Sequence, residues 1–484
     1  MAAFVAPAAV PAHVVGAGPN GISAAIRLAE AGLPVTLWER DSDVGGALRS
    51  GAATLPGFVH DLGAAVLPLA VASPAFARLP LTDHGLRWLH PPVPLAHPLD
   101  DGRAAVLQRS IAVTAAGLGR DADAYLRLLY PLVADAGFLV RWLLRPLRPT
   151  RELEPALRFG LLGARSAAGL WRARFRSEPA RALFAGLSAH SFLRLDAPAS
   201  AAYGLLLALL AHVGGWPFAA GGSQSVADAL AAHLRRLGGR IVVDREIVDL
   251  APFPDDALLL FDTAPRDLAR IAGDRLPAFT RDRLARHRYG AAVFKVDWAI
   301  DGPIPWTADA CRQAGTIHLG GDAEEIAASE REVVGGRAPL RPFVLLAQPS
   351  IVDPSRAPAG RQAVWAYCHV PLGCDVDMAD RIEAQVERFA PGFRDRILAR
   401  RAWSPRELER LNPNLVGGAI SGGVGDLRGL LLQNVALPSP YATFDPRIFL
   451  CSASVPPGGG VHGMCGHLAA EDALRRLLRA SGRV

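Results

Sequence analysis

Lysine is almost missing from this chain. Of 52 basic residues only Lys295 is a lysine; all the others are arginine. Any role for a side-chain amine therefore falls on that one residue. Cysteine is scarce too: the five cysteines (311, 368, 374, 451 and 465) are scattered and odd in number. That excludes a disulfide framework and makes a reducing, cytoplasmic compartment the expectation. Charge is absent from the first 26 residues. No basic segment precedes them, and they run straight into a glycine motif, so no targeting peptide is expected. Residues 197–227 also lack charge. Their leucine-rich run is too short to span a bilayer and stops at Gly214-Gly215-Trp216-Pro217, which predicts a buried helix. What the chain does have is apolar residues, 50% of 484, and only 20% charged ones. Disorder is excluded, and a large core split over two domains is expected. Glycine and proline are in excess without any period, which excludes collagen-like repeats and predicts many turns.

Positive charge is localised. The formal net charge is +6, but ten arginines from Arg141 to Arg181 meet only Glu152, Glu154 and Glu178 in the same stretch. The rest of the chain is nearly neutral. Leucine, tryptophan and phenylalanine interleave with these arginines at irregular helical spacing. Three readings stay open: a solvated helical face, a peripheral contact with a membrane surface, and a contact with an acidic ligand. No nucleic-acid-binding module accompanies the charge, so no nucleic-acid partner is expected.

The strongest local signal lies near the start. His13-Val14-Val15 reads as a strand leading into Gly16-Ala17-Gly18-Pro19-Asn20-Gly21. A helical pattern follows through Ala25, Leu28 and Ala29 and stops at Gly32. A second strand, Val35 to Trp38, ends at Glu39. The first glycine allows a tight turn, the second lets backbone approach a pyrophosphate, and the third lets the helix pack on the strand. Glu39 is placed to accept hydrogen bonds from a ribose, with Arg40 beside it. Just beyond, Asp43-Val44-Gly45-Gly46-Ala47-Leu48-Arg49-Ser50 brings a second glycine pair to the nucleotide, and Arg49 can meet phosphate bidentately.

From Val14 to Ser50 the sequence resembles the glutathione-reductase-type FAD proteins with a GG doublet, the group of the amine oxidases and phytoene desaturases. The resemblance implies FAD, not NAD. It extends to Gly57–Ala65, where Gly63, Ala64 and Ala65 would pass beside the flavin. It includes Gly221–Gln224, which opens a helix, and Glu246-Ile247-Val248, where Ile247 and Val248 would lie along the adenine through backbone groups. It also includes the strand Leu258–Phe261 with its turn Asp262-Thr263-Ala264-Pro265, which would bring Thr263 back to the cofactor. At the C-terminus, strand Ile448–Cys451 precedes Gly458-Gly459-Gly460-Val461-His462-Gly463-Met464-Cys465-Gly466 and a helix from about His467 to Leu478. This stretch looks like the bacterial branch of the phytoene-desaturase-like oxidoreductases. Gly460, Val461 and His462 would line the flavin, with the helix N-terminus stabilising negative charge at its N1/C2 edge.

Two residues are candidates for catalysis. Lys295 sits on the strand-like run Phe294–Trp298, with Trp306 further on; in amine oxidases a lysine so placed holds a water at flavin N5. The plain alternative is a lysine at the sheet surface. His462 sits where loop turns to helix and is a candidate acid or base. His462, Cys465 and His467 straddle a loop and a helix start without a fourth ligand nearby, so no metal is expected. His190 and His212 read as core or pocket-lining residues. Trp298, Trp306, Trp365, Tyr367 and Trp403 read as core, or as walls of a substrate cavity.

The expected architecture is α/β. A discontinuous Rossmann-like FAD domain is assembled from residues 1–75, 216–290 and 440–484. Residues 76–215, mostly helical, and 291–439, helices with a sheet, form a substrate domain, with the pocket where the two meet. The expected function is an FAD-dependent oxidoreductase acting on an apolar, polyene- or isoprenoid-like molecule, with oxygen or a quinone as electron acceptor. Alternatives are a flavin amine oxidase, a redox-neutral flavin isomerase, and a non-catalytic flavoprotein that binds a partner or membrane through 141–181.

Overall fold

Strands from distant parts of the chain combine into two sheets. In the computed structural model, which describes residues 10–432 and 439–480, they are β1 (Ala12–Val15), β2 (Val35–Trp38), β3 (Val93–Pro98), β4 (Ala104–Leu107), β5 (Arg240–Val242), β6 (Leu258–Phe261), β7 (Ala292–Asp301), β8 (Ala314–Leu319), β9 (Val344–Ala347), β10 (Arg361–Val370), β11 (Ile397–Trp403) and β12 (Ile448–Leu450). Of the expected modules, residues 1–9 and 481–484 of the cofactor pieces and 433–438 of the substrate module lie outside the described residues.

The first sheet is all parallel, in the order β12-β6-β1-β2-β5. Strand β1 has β2 on one side and β6 on the other, so the chain reverses its direction across the sheet at β1. Ligands of open α/β sheets bind outside the strand ends at such a switch point. β6 reads Leu-Leu-Leu-Phe and is buried throughout, as a strand covered on both faces must be. The helix Pro19–Glu30 leaves β1 with proline in its first turn, where no N–H is needed. The C-terminal helix, Met464–Ala480, crosses it so tightly that a Cβ on Gly466 would be driven into the Asn20 carbonyl oxygen.

The second sheet runs β11-β7-β10-β9-β8-β3-β4, antiparallel except between β8 and β3. Side-chain alternation gives it two faces. Phe294, Val296, Trp298, Val364, Ala366 and Cys368 point one way and form a core with the helix Ala379–Phe389. Val293, Trp365 and Tyr367 point the other way and pack with Ala65 and Phe218 of the cofactor-side segments. Lys295 and Asp297 share that second face by register.

Residues 76–215 are mostly helical, as the sequence pattern leads one to expect. A series of helices runs between Ile111 and Val213, and ahead of them lie β3 and β4, which extend the second sheet. All six residues of β3 are buried, so no apolar–polar alternation marks it. The long apolar pattern near 122–144 is two helices, Ala122–Ala134 and Ala136–Leu143, and that near 183–210 is Glu178–Ala189 and Ser200–Val213.

Candidate cofactor and active site

Three turns converge at the carboxyl ends of β1, β2 and β6. Gly16 takes φ +96°, a conformation that suits glycine, and its N–H donates to the Trp38 carbonyl at 2.8 Å. Glu39, at the end of β2, reaches back to accept the Ala17 N–H at 2.8 Å and accepts the Asp41 N–H at 3.1 Å. That uses one lone pair on each oxygen and leaves acceptor capacity for a ribose hydroxyl. The N–H of Gly45, at φ +132°, donates to the Ala17 carbonyl at 2.8 Å, and Gly46 lies against Gly18, where a Cβ would come within 3.0 Å of its Cα. Gln224 ties this second turn down by donating to the Val44 carbonyl at 2.9 Å. Ala64 N–H donates to the Ala47 carbonyl at 2.8 Å, so the Gly63-Ala64-Ala65 segment runs beside Gly45–Leu48.

The two arginines nearby are engaged within the protein. Arg49 pairs with Asp41 at 2.6 Å, and Arg40 donates to the Arg410 carbonyl at 3.1 Å. Ile247 is buried and Val248 is 51% exposed, on a segment whose Arg245 N–H donates to the Glu39 carbonyl at 2.8 Å.

On the β6 side, Asn414 clamps the turn, accepting the Ala264 N–H and donating to the Asp262 carbonyl, each at 2.8 Å. Thr263 Oγ1 is buried there without a hydrogen-bond partner among the described residues, as are Asn20 Oδ1 and Ser23 Oγ on the first helix. Buried polar atoms without partners at a glycine-built crevice fit a polar ligand. The glycine turns, Glu39 and these orphan atoms together suit a dinucleotide such as FAD. The Asp262 carboxyl also lies inside this crevice, a feature the sequence pattern did not single out; only its place at a strand end beside the first glycine turn could have hinted at it.

The expected flavin-side loop is built around His462. Its Nε2 lies 3.1 Å from the Gly458 carbonyl, and its Nδ1 accepts the Met464 N–H at 3.0 Å. The ring is buried, which pushes its pKa down to about 4. Both nitrogens are therefore engaged by the loop, and the neutral imidazole shapes Gly458–Gly463.

Lys295 is buried, not spread on the sheet surface. Its ammonium pairs with Asp297 and lies 5.6 Å and 6.0 Å from the ring centres of Trp365 and Trp403. Trp403 Nε1 donates to the same carboxylate at 2.8 Å. Burial pushes the ammonium pKa down, and Asp297 opposes that shift. The other Asp297 oxygen faces His60 at 3.6 Å, and the neighbouring Asp61 pairs with the fully buried Arg356. Asp61 in turn accepts from Ser50 Oγ at 2.7 Å and the Ser223 N–H at 2.8 Å. Buried ionisable groups thus lie between the second sheet and the cofactor side, and the pairing of Asp61 with Arg356 was not legible in the sequence because the two are far apart in it. Trp298 and Trp306 lie instead in the opposite core. His190 faces His318 at 3.2 Å among buried aromatics, and His212 bonds Tyr125 at 2.8 Å. Among the described residues no helix is long and apolar enough to cross a membrane.

Residues 14–79 match a family model described as an NAD(P)-binding Rossmann-like domain. The chain is 25% identical to pyridine nucleotide-disulfide oxidoreductase domain-containing protein 2 of Mus musculus, over 96% of this chain and 93% of that one. It is 25% identical to the lycopene-forming phytoene desaturase of Pseudescherichia vulneris, over 93% and 96% of the two chains. Among solved structures, a putrescine oxidase bound to putrescine shares the fold, with a TM-score of 0.59, 16% identity, and coverage of 98% and 99%. The chain thus joins a parallel Rossmann-like sheet to homology with phytoene desaturases along nearly its whole length, which supports an FAD-dependent oxidoreductase, and it shares the fold of a putrescine oxidase.

Proposed function

We propose that this oxidoreductase acts on an apolar, polyene- or isoprenoid-like small molecule. The observation that supports this substrate class most is the near-full-length similarity to phytoene desaturases. FAD, held by Gly16–Gly21, Glu39, Gly45–Arg49 and the turn at Thr263, would supply the two-electron chemistry. The chain supplies position and electrostatics. Trp365, Tyr367 and Lys295 on the second sheet form the face turned to the cofactor-side segments, and the neutral His462 fixes the C-terminal loop. An anaerobic titration tests the reading: a polyene substrate should bleach the oxidised-flavin absorbance and yield a product with an added double bond. A flavin that stays oxidised with polyenes but is reduced by amines, with peroxide released in air, would replace it with amine oxidation. The pair Trp365–Tyr367, edge-on at 5.2 Å beside the only lysine, is what favours that second reading.

We also propose a lipid surface as the place where such a substrate is met. Leu153, Leu157 and Leu161 lie four residues apart on the helix Leu153–Gly163 and are 62%, 59% and 72% exposed. Arg145, Arg148 and Arg151 are exposed just before it. An apolar stripe rimmed by arginine suits the interface of an anionic membrane.

A further inference from the structure

The glycine turn that should receive the FAD diphosphate already contains a carboxyl group. Asp262 leaves the end of β6, and its Oδ2 accepts the N–H of Gly21, in the first turn of the helix Pro19–Glu30, at 2.8 Å. A Cβ built on Gly18 would lie 2.7 Å from that oxygen, and one on Gly16 would lie 3.3 Å from the Asp262 Cβ. The side chain therefore touches all three glycines of the turn and is 6% exposed. It competes for the helix end that attracts phosphate.

No cation faces it. The groups that act on it electrostatically are Glu39 from the end of β2, Cys451 from the end of β12, and Cys465 from the first turn of the C-terminal helix. Asn414 engages its backbone carbonyl, not its carboxyl. An anionic diphosphate arriving here meets a buried carboxyl that no arginine, lysine or histidine among the described residues compensates.

We propose that Asp262 must carry a proton when FAD is seated, so that this chain takes up one proton as it binds its cofactor. A protonated Asp262 keeps its Gly21 hydrogen bond through the carbonyl-like oxygen and brings no negative charge beside the diphosphate. Burial supports this, since it pushes the Asp262 pKa up to about 7 before any ligand adds its charge, with Glu39 adding to the shift. The sign follows. Below about pH 7 the proton is already present and FAD affinity is level; above it, each binding event must draw a proton from solution, and affinity falls about tenfold per pH unit.

The inference rests on the FAD reading and is tested apart from catalysis. Apoprotein is titrated with FAD from pH 6 to pH 8.5, following the quenching of flavin fluorescence, and proton uptake at pH 8 is measured by calorimetry in two buffers of different ionisation enthalpy. The wild type should lose affinity above neutrality and take up about one proton. Asp262→Asn, which keeps an acceptor for Gly21 and cannot ionise, should bind with a level, tight profile and take up none. A level wild-type profile, or the same slope in Asp262→Asn, overturns the inference while leaving FAD binding intact. Absence of FAD binding by both proteins at every pH would overturn the cofactor reading as well.

Discussion

At the residue scale, Lys295 shows how a single position changes meaning once its partner is known. The sequence marks it as the only lysine on a strand, but not that Asp297, two residues on and on the same face, pairs with it inside the protein. Removing one member of a buried ion pair leaves an uncompensated charge and costs about 3–5 kcal/mol. Lys295→Met should therefore lower the urea midpoint sharply. Lys295→Met combined with Asp297→Asn should restore most of it, because the stranded carboxylate is gone. If the lysine also serves flavin N5, reoxidation by oxygen should be slow in both variants; recovery of stability without recovery of reoxidation separates the two roles. Equal stability of the single and double variants would count against the pairing. His462 was legible as a special position in a glycine loop, but its job depends on two hydrogen bonds that only the folded loop shows. The cofactor turn was the easiest part to read, because Gly16, Gly18, Gly21 and Glu39 lie close in sequence and each answers a local requirement of backbone or phosphate. Asp262 and Asn414 complete the same crevice from more than 200 residues away, and no local pattern announces such a contact.

At the element scale, legibility follows periodicity. The helices Gln224–Arg236 and Ala379–Phe389 present one apolar face each, a spacing that is visible in the sequence itself. Strands β3 and β11 escaped for opposite reasons: β3 is buried on both faces, whereas β11 lies at the sheet edge and carries exposed Arg400 and Arg401. The crossing of the first and last helices makes a sharp prediction. Gly466→Ala places a methyl group into the Asn20 carbonyl at the helix turn that faces the cofactor crevice. It should cost about 2–3 kcal/mol by overpacking and reduce the FAD that co-purifies. Gly32→Ala makes the comparison: φ is +86° there but the Cβ meets nothing within 4 Å, so about 1–2 kcal/mol of backbone strain with full FAD content is expected. Equal FAD loss in both would mean general instability and not the crossing is responsible. The leucine stripe is tested at the same scale. Leu157→Glu, on a 59% exposed position, should leave thermal stability within about 0.5 kcal/mol and reduce sedimentation with anionic vesicles. Vesicle binding unchanged by Leu157→Glu and by Arg148→Glu would remove the membrane reading.

At the scale of the whole molecule, the titratable groups act together. Burial holds His97 and His462 down to about 4 and His190 to about 3, and pushes His318 well below its ordinary value, with neighbouring histidines adding to the effect on His190 and His318. All four are neutral in the fold and become charged in the unfolded chain as pH falls below about 6.5. Stability that depends on neutral histidine is present above that pH and drains away below it, at about 1.4 kcal/mol per unit for each group. Asp262 works in the other direction. Its folded pKa is raised to about 7, so the fold holds a proton that the unfolded chain releases until near pH 4, and acidification from 7 favours the fold at this one group. Three of the four histidine contributions remain uncancelled, about 4 kcal/mol per pH unit, against a total stability of about 5–15 kcal/mol for a folded domain. The apoprotein should therefore lose its urea resistance steeply between pH 6.5 and pH 5. His190→Phe, which removes the imidazole facing His318 and keeps an aromatic ring beside Trp216, should make that descent shallower by about one proton. Bound FAD should raise the midpoint by a nearly constant amount from pH 7 to 5, since Asp262 already carries its proton there and cofactor affinity is level. Urea midpoints at pH 7, 6 and 5, with and without FAD, measure both effects in one series. A midpoint that stays level from pH 7 to 5 in the apoprotein would show that these histidines are not held neutral.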